Sequence, residues 1–195
     1  MTRRSLLFLG DSLTYGFDWA SALPDFTVYN FGINGDTTDG VLARLNDAAA
    51  VKPDKIFLQI GINDLLSEFA WLGNHESQSK ANLYAILRNH TQIWEYLSEN
   101  LPDAILYVCS LLPATRSFDP QGTLNNDVRA LCTMLEKMSA SRDLTYINLY
   151  NALCDEGGAL REDCSEDGVH LLRPGYQIWL ETLMPFISAG EQQTA

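Results

Sequence analysis

Short apolar runs alternate with longer helix-like segments along the whole chain, and this alternation constrains its fold more than any other feature. Five runs rich in Leu, Ile, Val and aromatic residues occur at 6–9, 27–31, 55–60, 105–110 and 144–148. They are nearly continuous in apolar residues, which is typical of strands buried on both faces. Alternation of this kind predicts an α/β fold, in which helices cover both faces of a parallel sheet.

The segments between these runs carry apolar residues at helical spacing. Helices are expected over residues 38–50, 79–101 and 124–138 and from Pro174 onward. Asp36 or Thr37 is the expected N-cap of the first, and Pro185 should end or kink the last. With no internal repeat or interdomain linker, we expect one domain over 1–195, with a frayed tail at 188–195.

The charge of the chain limits its partners. The formal net charge is −12 over 195 residues. Nucleic acids and anionic membranes both need a basic surface, so neither is an expected partner. No window of the sequence approaches the roughly 20 apolar residues of a membrane span. The expected partner is therefore a small molecule, and the oligomeric state is left open.

The N-terminus and the cysteines indicate the compartment. Arg3 and Arg4 precede an apolar stretch that is too short for a signal peptide, so we expect it to remain in a cytoplasmic protein. The four cysteines lack C-x-x-C or zinc-site spacing, which predicts reduced thiols and no metal site. A bridge between Cys154 and Cys164 is the one pairing that remains conceivable.

Three turns rich in Gly, Asn and Asp directly follow the first three predicted strands. They read Gly-Asp-Ser-Leu at 10–13, Asn-Phe-Gly-Ile-Asn-Gly-Asp-Thr-Thr at 30–38 and Gly-Ile-Asn-Asp at 61–64. The residues after the strands of an open parallel sheet gather at its carboxyl edge, where ligands bind. The three turns should therefore converge on one site.

The residues of these turns, with an acid and a base near the other end, suit nucleophilic catalysis. A serine hydroxyl is a weak nucleophile until a base takes its proton, and Ser12 is the candidate. Asp167 and His170 are spaced so that the carboxylate can orient the imidazole, which would then deprotonate the serine. The N–H groups of Ser12 and Gly35 and the amide of Asn63 can donate to an oxyanion, at roughly 3–4 kcal/mol per donor.

These motifs resemble the four blocks of the GDSL, or SGNH, hydrolase family, and they occur in the family order over nearly the whole chain. The four family residues are Ser12, Gly35, Asn63 and His170. The resemblance implies a flavodoxin-like, three-layer α/β/α sandwich with a five-stranded parallel sheet ordered 2-1-3-4-5. It also implies hydrolysis of carboxylic esters, sometimes thioesters, without a metal or other cofactor. The short chain is similar to the small bacterial lysophospholipase/thioesterase and acetylhydrolase branches.

Apolar residues near the motifs bear on the substrate. Leu171 and Leu172 follow the histidine, where many family members carry a polar pair, and should make the floor of the site apolar. Trp71 lies in a long connection, 65–78, that either walls an acyl pocket or forms a short surface helix. These features favour an acyl ester, with lysophospholipase, thioesterase or arylesterase activity. A carbohydrate O-acetyl ester is the alternative, and a non-catalytic binding module is a remote one.

Other aromatic and titratable residues near the motifs have two interpretations. Tyr15, Phe17 and Trp19 follow the nucleophile and either line the site or pack the first helix against the sheet. Asp11 and Asp64 are expected to accept hydrogen bonds from turn amides. Of the two remaining histidines, His75 should be solvated, and His90 should lie at the edge of the core.

Overall fold

The computed structural model describes residues 3–71 and 76–189, with the side chains of 67–82 outside the description. Five parallel strands form one sheet with the order β2-β1-β3-β4-β5. They are β1 (Ser5–Gly10), β2 (Thr27–Gly32), β3 (Lys55–Gln59), β4 (Ile105–Cys109) and β5 (Thr145–Ile147). The five predicted strands and their order are confirmed.

The central strands of the sheet are more deeply buried than the edge strand β2. Every residue of β3 is buried, as are all but the first residues of β1 and β4, because helices cover both faces there. The edge strand β2 exposes part of its length. On one face, rings from three central strands and the helix layer stack in a row, with centroids 4.1, 5.2 and 4.9 Å apart along Trp19, Phe8, Phe57 and Tyr107. This row joins the sheet to the helices above it.

Helices form two layers, as predicted for the α/β/α sandwich. In chain order they are α1 (Ser12–Tyr15), α2 (Trp19–Ala22), α3 (Thr38–Ala43), α4 (Leu45–Ala50), α5 (Ile62–Trp71), α6 (Glu76–Asn100), α7 (Thr123–Ala140), α8 (Leu149–Leu153) and α9 (Arg173–Ile187). Helices α3 to α7 contact one another in one layer, and α8 packs on α9 in the other. Within the described ranges, no helix is long and apolar enough to cross a membrane.

The prediction of one helix over 38–50 is wrong in one respect, because two helices, α3 and α4, occupy this segment. Thr37 caps α3 by accepting from the N–H of Gly40, but the backbone leaves helical geometry at Arg44, with φ −120° and ψ 17°. The N–H of Arg44 donates to the carbonyl of Val41, which closes a tighter turn than an α-helix. The side chain of Arg44 donates to Asp36 and to the carbonyl of Gly10, both outside the helix. The spacing of apolar residues in this segment does not predict these bonds.

The structure also bears on two expectations about where helices begin and end. Pro185 lies inside α9, which continues to Ile187, so the proline does not end the helix where it occurs. The segment 65–78 is mostly helical, since α5 extends to Trp71 and α6 begins at Glu76. The backbone there agrees with the helical alternative, whether or not the segment also walls an acyl pocket, while residues 72–75 and the tail from 190 onward lie outside the description.

Candidate active site

The three turns that follow β1, β2 and β3 converge at the carboxyl edge of the sheet. They surround a pocket of about 500 Å³, together with the loop that precedes α9. Its lining consists of Ser12, Tyr15, Gly16, Asn34, Gly35, Asn63, His170, Leu171 and Tyr176. The structure thus brings together the expected nucleophile, base and oxyanion donors.

The turn after β1 is shaped to present Ser12. Asp11 is the N-cap of α1, and its Oδ1 accepts from the N–H of Leu13 at 2.9 Å. A Cβ on Gly10 would overlap Oγ1 of Thr14 and the carbonyl of Gln59, so this close passage requires glycine. Asp11 accepts from a turn amide, as expected, and the serine beside it faces the pocket.

Asp11 is nevertheless unusual, because its carboxyl group is fully buried. Its Oδ2 has no hydrogen-bond partner among the described residues. Burial raises the pKa of Asp11 to about 7, and the charge of Asp36 adds to the increase, against the opposing bond from Leu13. A carboxyl group that titrates near neutrality therefore lies directly behind the nucleophile.

Ser12, His170 and Asp167 form a continuous chain of hydrogen bonds. Oγ of Ser12 lies 3.0 Å from Nε2 of His170, and Nδ1 of His170 lies 2.7 Å from Oδ2 of Asp167. These distances are within hydrogen-bond reach for a nucleophile, a base and an orienting carboxylate. The arrangement allows the serine proton to move to an imidazole whose other nitrogen is already bonded.

The loop that carries Asp167 and His170 is held by its own backbone and by Ser165. Oδ1 of Asp167 accepts from the N–H groups of Val169 and His170 at 2.9 and 2.8 Å. Burial by itself would raise the pKa of Asp167, but these N–H groups and the imidazole outweigh it and lower the pKa to about 2. Oγ of Ser165 donates to the carbonyl of His170 and accepts from the N–H of Gly168.

The three candidate oxyanion donors belong to residues that line the pocket, Ser12, Gly35 and Asn63. Neither the N–H of Ser12 nor that of Gly35 has a hydrogen-bond partner within the described part of the chain. Gly35 has φ +73°, a left-handed conformation that favours glycine. Nδ2 of Asn63 donates to the carbonyl of Asp36 at 2.8 Å. An amide carries two N–H bonds, so Asn63 keeps one for a ligand.

Behind these donors lies a partly buried polar network, of which the sequence predicted only that Asp64 accepts from a turn amide. Asp64 accepts from the N–H and from Oγ1 of Thr38, at 3.0 and 2.6 Å. Nδ2 of Asn89, on α6, donates to Oγ1 of Thr38 and to Oδ1 of Asp39. Burial raises the pKa of Asp64. Asn89 belongs to no motif and is distant in sequence, so only the packing of α6 reveals it.

The walls of the pocket agree with the sequence in part. Leu171 is buried and lines the pocket. Leu172 lies at the N-cap position of α9, is 41% exposed and is not among the lining residues. Tyr15 lines the pocket, but Trp19 packs in the core. Tyr176, which the sequence did not single out, lines the pocket and donates to the carbonyl of Leu13.

Other candidate residues lie elsewhere. The side chain of Trp71 and the whole of His75 are outside the description. His90 is fully buried rather than at the core edge, and burial lowers its pKa to about 4. The cysteines are free, so no bridge joins Cys154 to Cys164. No group of three or more His, Cys, Asp or Glu side chains that could hold a metal occurs within the described residues.

Comparison with known proteins decides the family. Residues 8–178 match the GDSL-like lipase/acylhydrolase family. The chain belongs to this family. This membership places the GDSL hydrolase described here among the carboxylic ester hydrolases, and it agrees with the resemblance of the motifs.

Two relatives and one solved structure illustrate the likeness. An arylesterase of Vibrio mimicus is 40% identical over 33% of this chain and 40% of its own length. The alpha2 subunit of platelet-activating factor acetylhydrolase IB from Rattus norvegicus is 26% identical over 88% of this chain and 70% of the subunit. A GDSL-like lipase of Bacteroides thetaiotaomicron has a TM-score of 0.74 at 22% identity, covering 95% of this chain and 88% of its own, which shows the shared fold.

Proposed function

We propose that this GDSL hydrolase cleaves carboxylic esters through an acyl-enzyme on Ser12. The observation that carries the proposal is the chain of hydrogen bonds from Ser12 through His170 to Asp167, at 3.0 and 2.7 Å. The same pocket is lined by Gly35 and Asn63, the other two proposed oxyanion donors. A nucleophile, a base and oxyanion donors within one pocket are the minimum set for acyl transfer.

In the acylation step, Oγ of Ser12 bonds to the ester carbonyl carbon while its proton passes to Nε2 of His170. Nδ1–H of His170 donates to Asp167, whose pKa of about 2 keeps it ionised to balance the imidazolium. The carbonyl oxygen becomes an oxyanion that accepts from the N–H groups of Ser12 and Gly35 and from the amide of Asn63. When the C–O bond breaks, the proton on Nε2 goes to the leaving alcohol.

Deacylation repeats these roles with water as the nucleophile. His170 takes a proton from water, which adds to the acyl carbonyl, and the same donors hold the second oxyanion. Collapse of this intermediate releases the carboxylic acid and returns the proton to Oγ of Ser12. Apart from water, the cycle uses Ser12, His170, Asp167 and the oxyanion donors that line the pocket.

For the substrate, we propose acyl esters with an apolar alcohol or thiol part. Tyr15, Leu171 and Tyr176 give the pocket an apolar wall close to the nucleophile. The names of the curated relatives, an arylesterase and an acetylhydrolase, support small acyl groups. The polar side of the pocket, with Asn34 and Asn63, favours a carbohydrate O-acetyl ester as the second candidate.

The setting we propose is that of a cytoplasmic enzyme acting on small molecules as one domain. All four cysteines are free, which suits a reducing compartment. The net charge of −12 disfavours nucleic acid as a partner. Cell fractionation with a cytosolic and a secreted marker tests the location, and recovery with the secreted marker would refute it.

The mechanism is tested by replacing the nucleophile. We expect Ser12→Ala to lower kcat by at least about 10⁴-fold and to abolish labelling by a fluorophosphonate, because no other group can form the acyl-enzyme. Ser98→Ala, at an exposed position on α6, is the matched control and should keep both properties. Labelling or turnover that survives Ser12→Ala would refute the acyl-enzyme.

The substrate class is tested with a series of p-nitrophenyl esters from acetate to palmitate, an acyl thioester and an acetylated xylan oligosaccharide. We expect kcat/KM to be highest for a short acyl chain on the aryl alcohol, with measurable thioester cleavage. A preference for the acetylated sugar over every aryl ester would establish the second candidate instead. Trp71→Ala belongs to the same experiment, since an unchanged chain-length profile would remove that residue from the acyl pocket.

A further inference from the structure

Asp36 makes hydrogen bonds to two of the turns that surround the pocket, which the sequence motifs do not predict. Its carbonyl accepts from Nδ2 of Asn63 at 2.8 Å, and its Oδ1 accepts from the N–H of Thr37 at 3.0 Å. Its own N–H donates to the carbonyl of Ile33, which closes the turn around Gly35. One residue therefore bonds to the loop of one oxyanion donor and to the side chain of another.

Arg44 extends this set of contacts to the nucleophile. Its Nε donates to Oδ2 of Asp36 at 2.8 Å, and its Nη2 lies 2.7 Å from the same oxygen. Nη2 also donates to the carbonyl of Gly10 at 3.0 Å, two residues before Ser12. The guanidinium thus joins the turn after β1 to the turn after β2. Its position at the break between α3 and α4 leaves the side chain free to reach both.

The pair is largely withdrawn from solvent. The side chains of Arg44 and Asp36 are only 15% and 10% exposed. Bonds between ionised groups that are shielded from water are stronger and better aligned than exposed ion pairs. A planar guanidinium can hold two acceptors at fixed angles, which a flexible ammonium group cannot do. The contact is therefore suited to fixing distances between loops.

We propose that Asp36 and Arg44 are positioning residues that hold the three oxyanion donors at a common distance from the substrate carbonyl. The inference rests on the proposed acyl-enzyme function and adds to it a pair of residues that touch no substrate. Ser12, Gly35 and Asn63 follow three different strands. Arg44 bonds to the carbonyl of Gly10, close to Ser12. Asp36 bonds to the turn around Gly35 and to the side chain of Asn63. Besides this pair, the turns after β1 and β2 are joined by the N–H bond from Ile33 to the carbonyl of Gly10 and by bonds from Nδ2 of Asn30 to the carbonyls of Tyr15 and Phe17, none of which involves an ionised group.

The expected signature is a loss of transition-state binding with little loss of ground-state binding. Donors misplaced by a fraction of an ångström bind the ester about as well but stabilise the oxyanion less. We expect Arg44→Met to lower kcat per active site by about tenfold to hundredfold, with KM changed by less than about threefold. The affinity for an aryl trifluoromethyl ketone, which Ser12 converts to a tetrahedral adduct, should fall by the same factor as kcat/KM.

Three further variants test the pair from other directions. Asp36→Asn keeps an oxygen for the N–H of Thr37 but removes the ion pair, so kcat should again fall by about tenfold or more. Gly40→Ala changes neither partner, yet its Cβ would overlap Oδ1 of Asp36. Alanine ordinarily stabilises a helix relative to glycine, so a lower kcat in Gly40→Ala points to the displaced carboxylate. Arg44→Lys can restore one of the two bonds and should recover part of the kcat lost in Arg44→Met.

The controls separate positioning from general damage. Arg161→Met removes the exposed ion pair between Arg161 and Asp163 and should leave kcat unchanged. Lys55→Met disturbs the opposite edge of the sheet, so it lowers stability without affecting the donors. Active sites are counted by fluorophosphonate labelling, and assays are run at least 15 °C below each Tm. The proposal is overturned if kcat per labelled site in Arg44→Met and Asp36→Asn equals that of Lys55→Met.

This outcome differs from failure of the proposed function. If Ser12 were not the nucleophile, Ser12→Ala would retain activity and labelling whatever the Arg44 variants did. If the nucleophile is correct but the pair does not position the donors, Ser12→Ala is inactive and the Arg44 variants keep the kcat and ketone affinity of the wild type. A parallel fall of kcat/KM and ketone affinity supports the pair.

Discussion

The residues of the pocket divide into those whose roles follow from chemistry and those whose properties come from burial. Ser12 and His170 are groups that any acyl-transfer site needs, and they lie within hydrogen-bond distance. Asp11 is adjacent in sequence to Ser12, but burial determines its behaviour by raising its pKa to about 7. Asp167, a residue of the same type, has a pKa of about 2 because N–H groups and an imidazole surround it.

The orienting carboxylate gives the first prediction. Asp167→Asn should lower kcat by about 10²–10⁴-fold, because an amide oxygen cannot balance the imidazolium and its N–H can favour the wrong tautomer of His170. The measurement is kcat for p-nitrophenyl acetate, with Glu166→Gln in the same loop as the control. A loss below about fivefold would show that His170 does not depend on this carboxylate.

The buried carboxyl of Asp11 gives a prediction about stability and pH. Its pKa is about 7 in the folded chain and about 3.8 in the unfolded chain, so between these pH values the folded state holds the extra proton. The contribution of Asp11 to stability is therefore greatest below about pH 4 and falls as pH rises toward 7. Asp11→Asn keeps an oxygen for the N–H of Leu13 and removes this titration.

Thermal unfolding of both proteins between pH 4.5 and 7.5 tests this sign. The Tm of Asp11→Asn minus that of the wild type should increase by about 6–12 °C over this range, from a differential of roughly 3 kcal/mol. Asp103→Asn, at an exposed position, should show a flat difference. A difference that falls with pH would mean that Asp11 is stabilised in its ionised form.

At the scale of elements, the ends of strands and helices decide where the pocket forms. Three strands end in turns at the same edge, and each turn contributes one of the proposed oxyanion donors to the lining of the pocket. At the opposite edge, Lys55 begins β3 and is buried beneath the end of α9. Its Nζ donates to the carbonyls of Phe186, Ile187 and Ala189, which have no partners within the helix.

Lys55→Met should lower the free energy of unfolding by about 2–4 kcal/mol, because three carbonyls, one of them fully buried, lose a charged donor at the negative end of a helix. Chemical denaturation measures the change, and kcat per active site should stay within about twofold of the wild type. Lys137→Met, an exposed lysine in the last turn of α7, is the control and should change the free energy by less than about 0.5 kcal/mol. A small effect of Lys55→Met would mean that α9 is held by its apolar face alone.

At the scale of the whole molecule, the two helix layers share the sheet as a common core. Trp19 and Trp179 are buried on one face of the sheet and contact each other, and Trp94 is buried in α6 on the other. The layers cannot separate without exposing the central strands. This arrangement favours unfolding as one cooperative unit, as expected for one domain over 1–195.

Urea unfolding followed by two signals tests that expectation. Tryptophan fluorescence reports on both layers, and far-UV circular dichroism reports on all helices, so the two curves should coincide in midpoint and slope. Trp94→Phe, which leaves buried tryptophans on the other face, should give the same agreement. Separate midpoints would show that one layer unfolds independently.

The sequence by itself determined the five strands, the edge at which the site forms and the residues Ser12, Asp167 and His170 that meet there, because each depends on local pattern, whereas the strand order followed only from the resemblance to the GDSL family. Apolar runs specify strands, and turns after parallel strands meet at one edge whatever their contacts. The break at Arg44, the full burial of His90, the exposure of Leu172 and the contacts of Asp36, Lys55 and Asn89 needed the tertiary structure. These features depend on which residues, distant in sequence, pack together away from water. The spacing of residues along the chain does not show how far apart they lie in the folded structure.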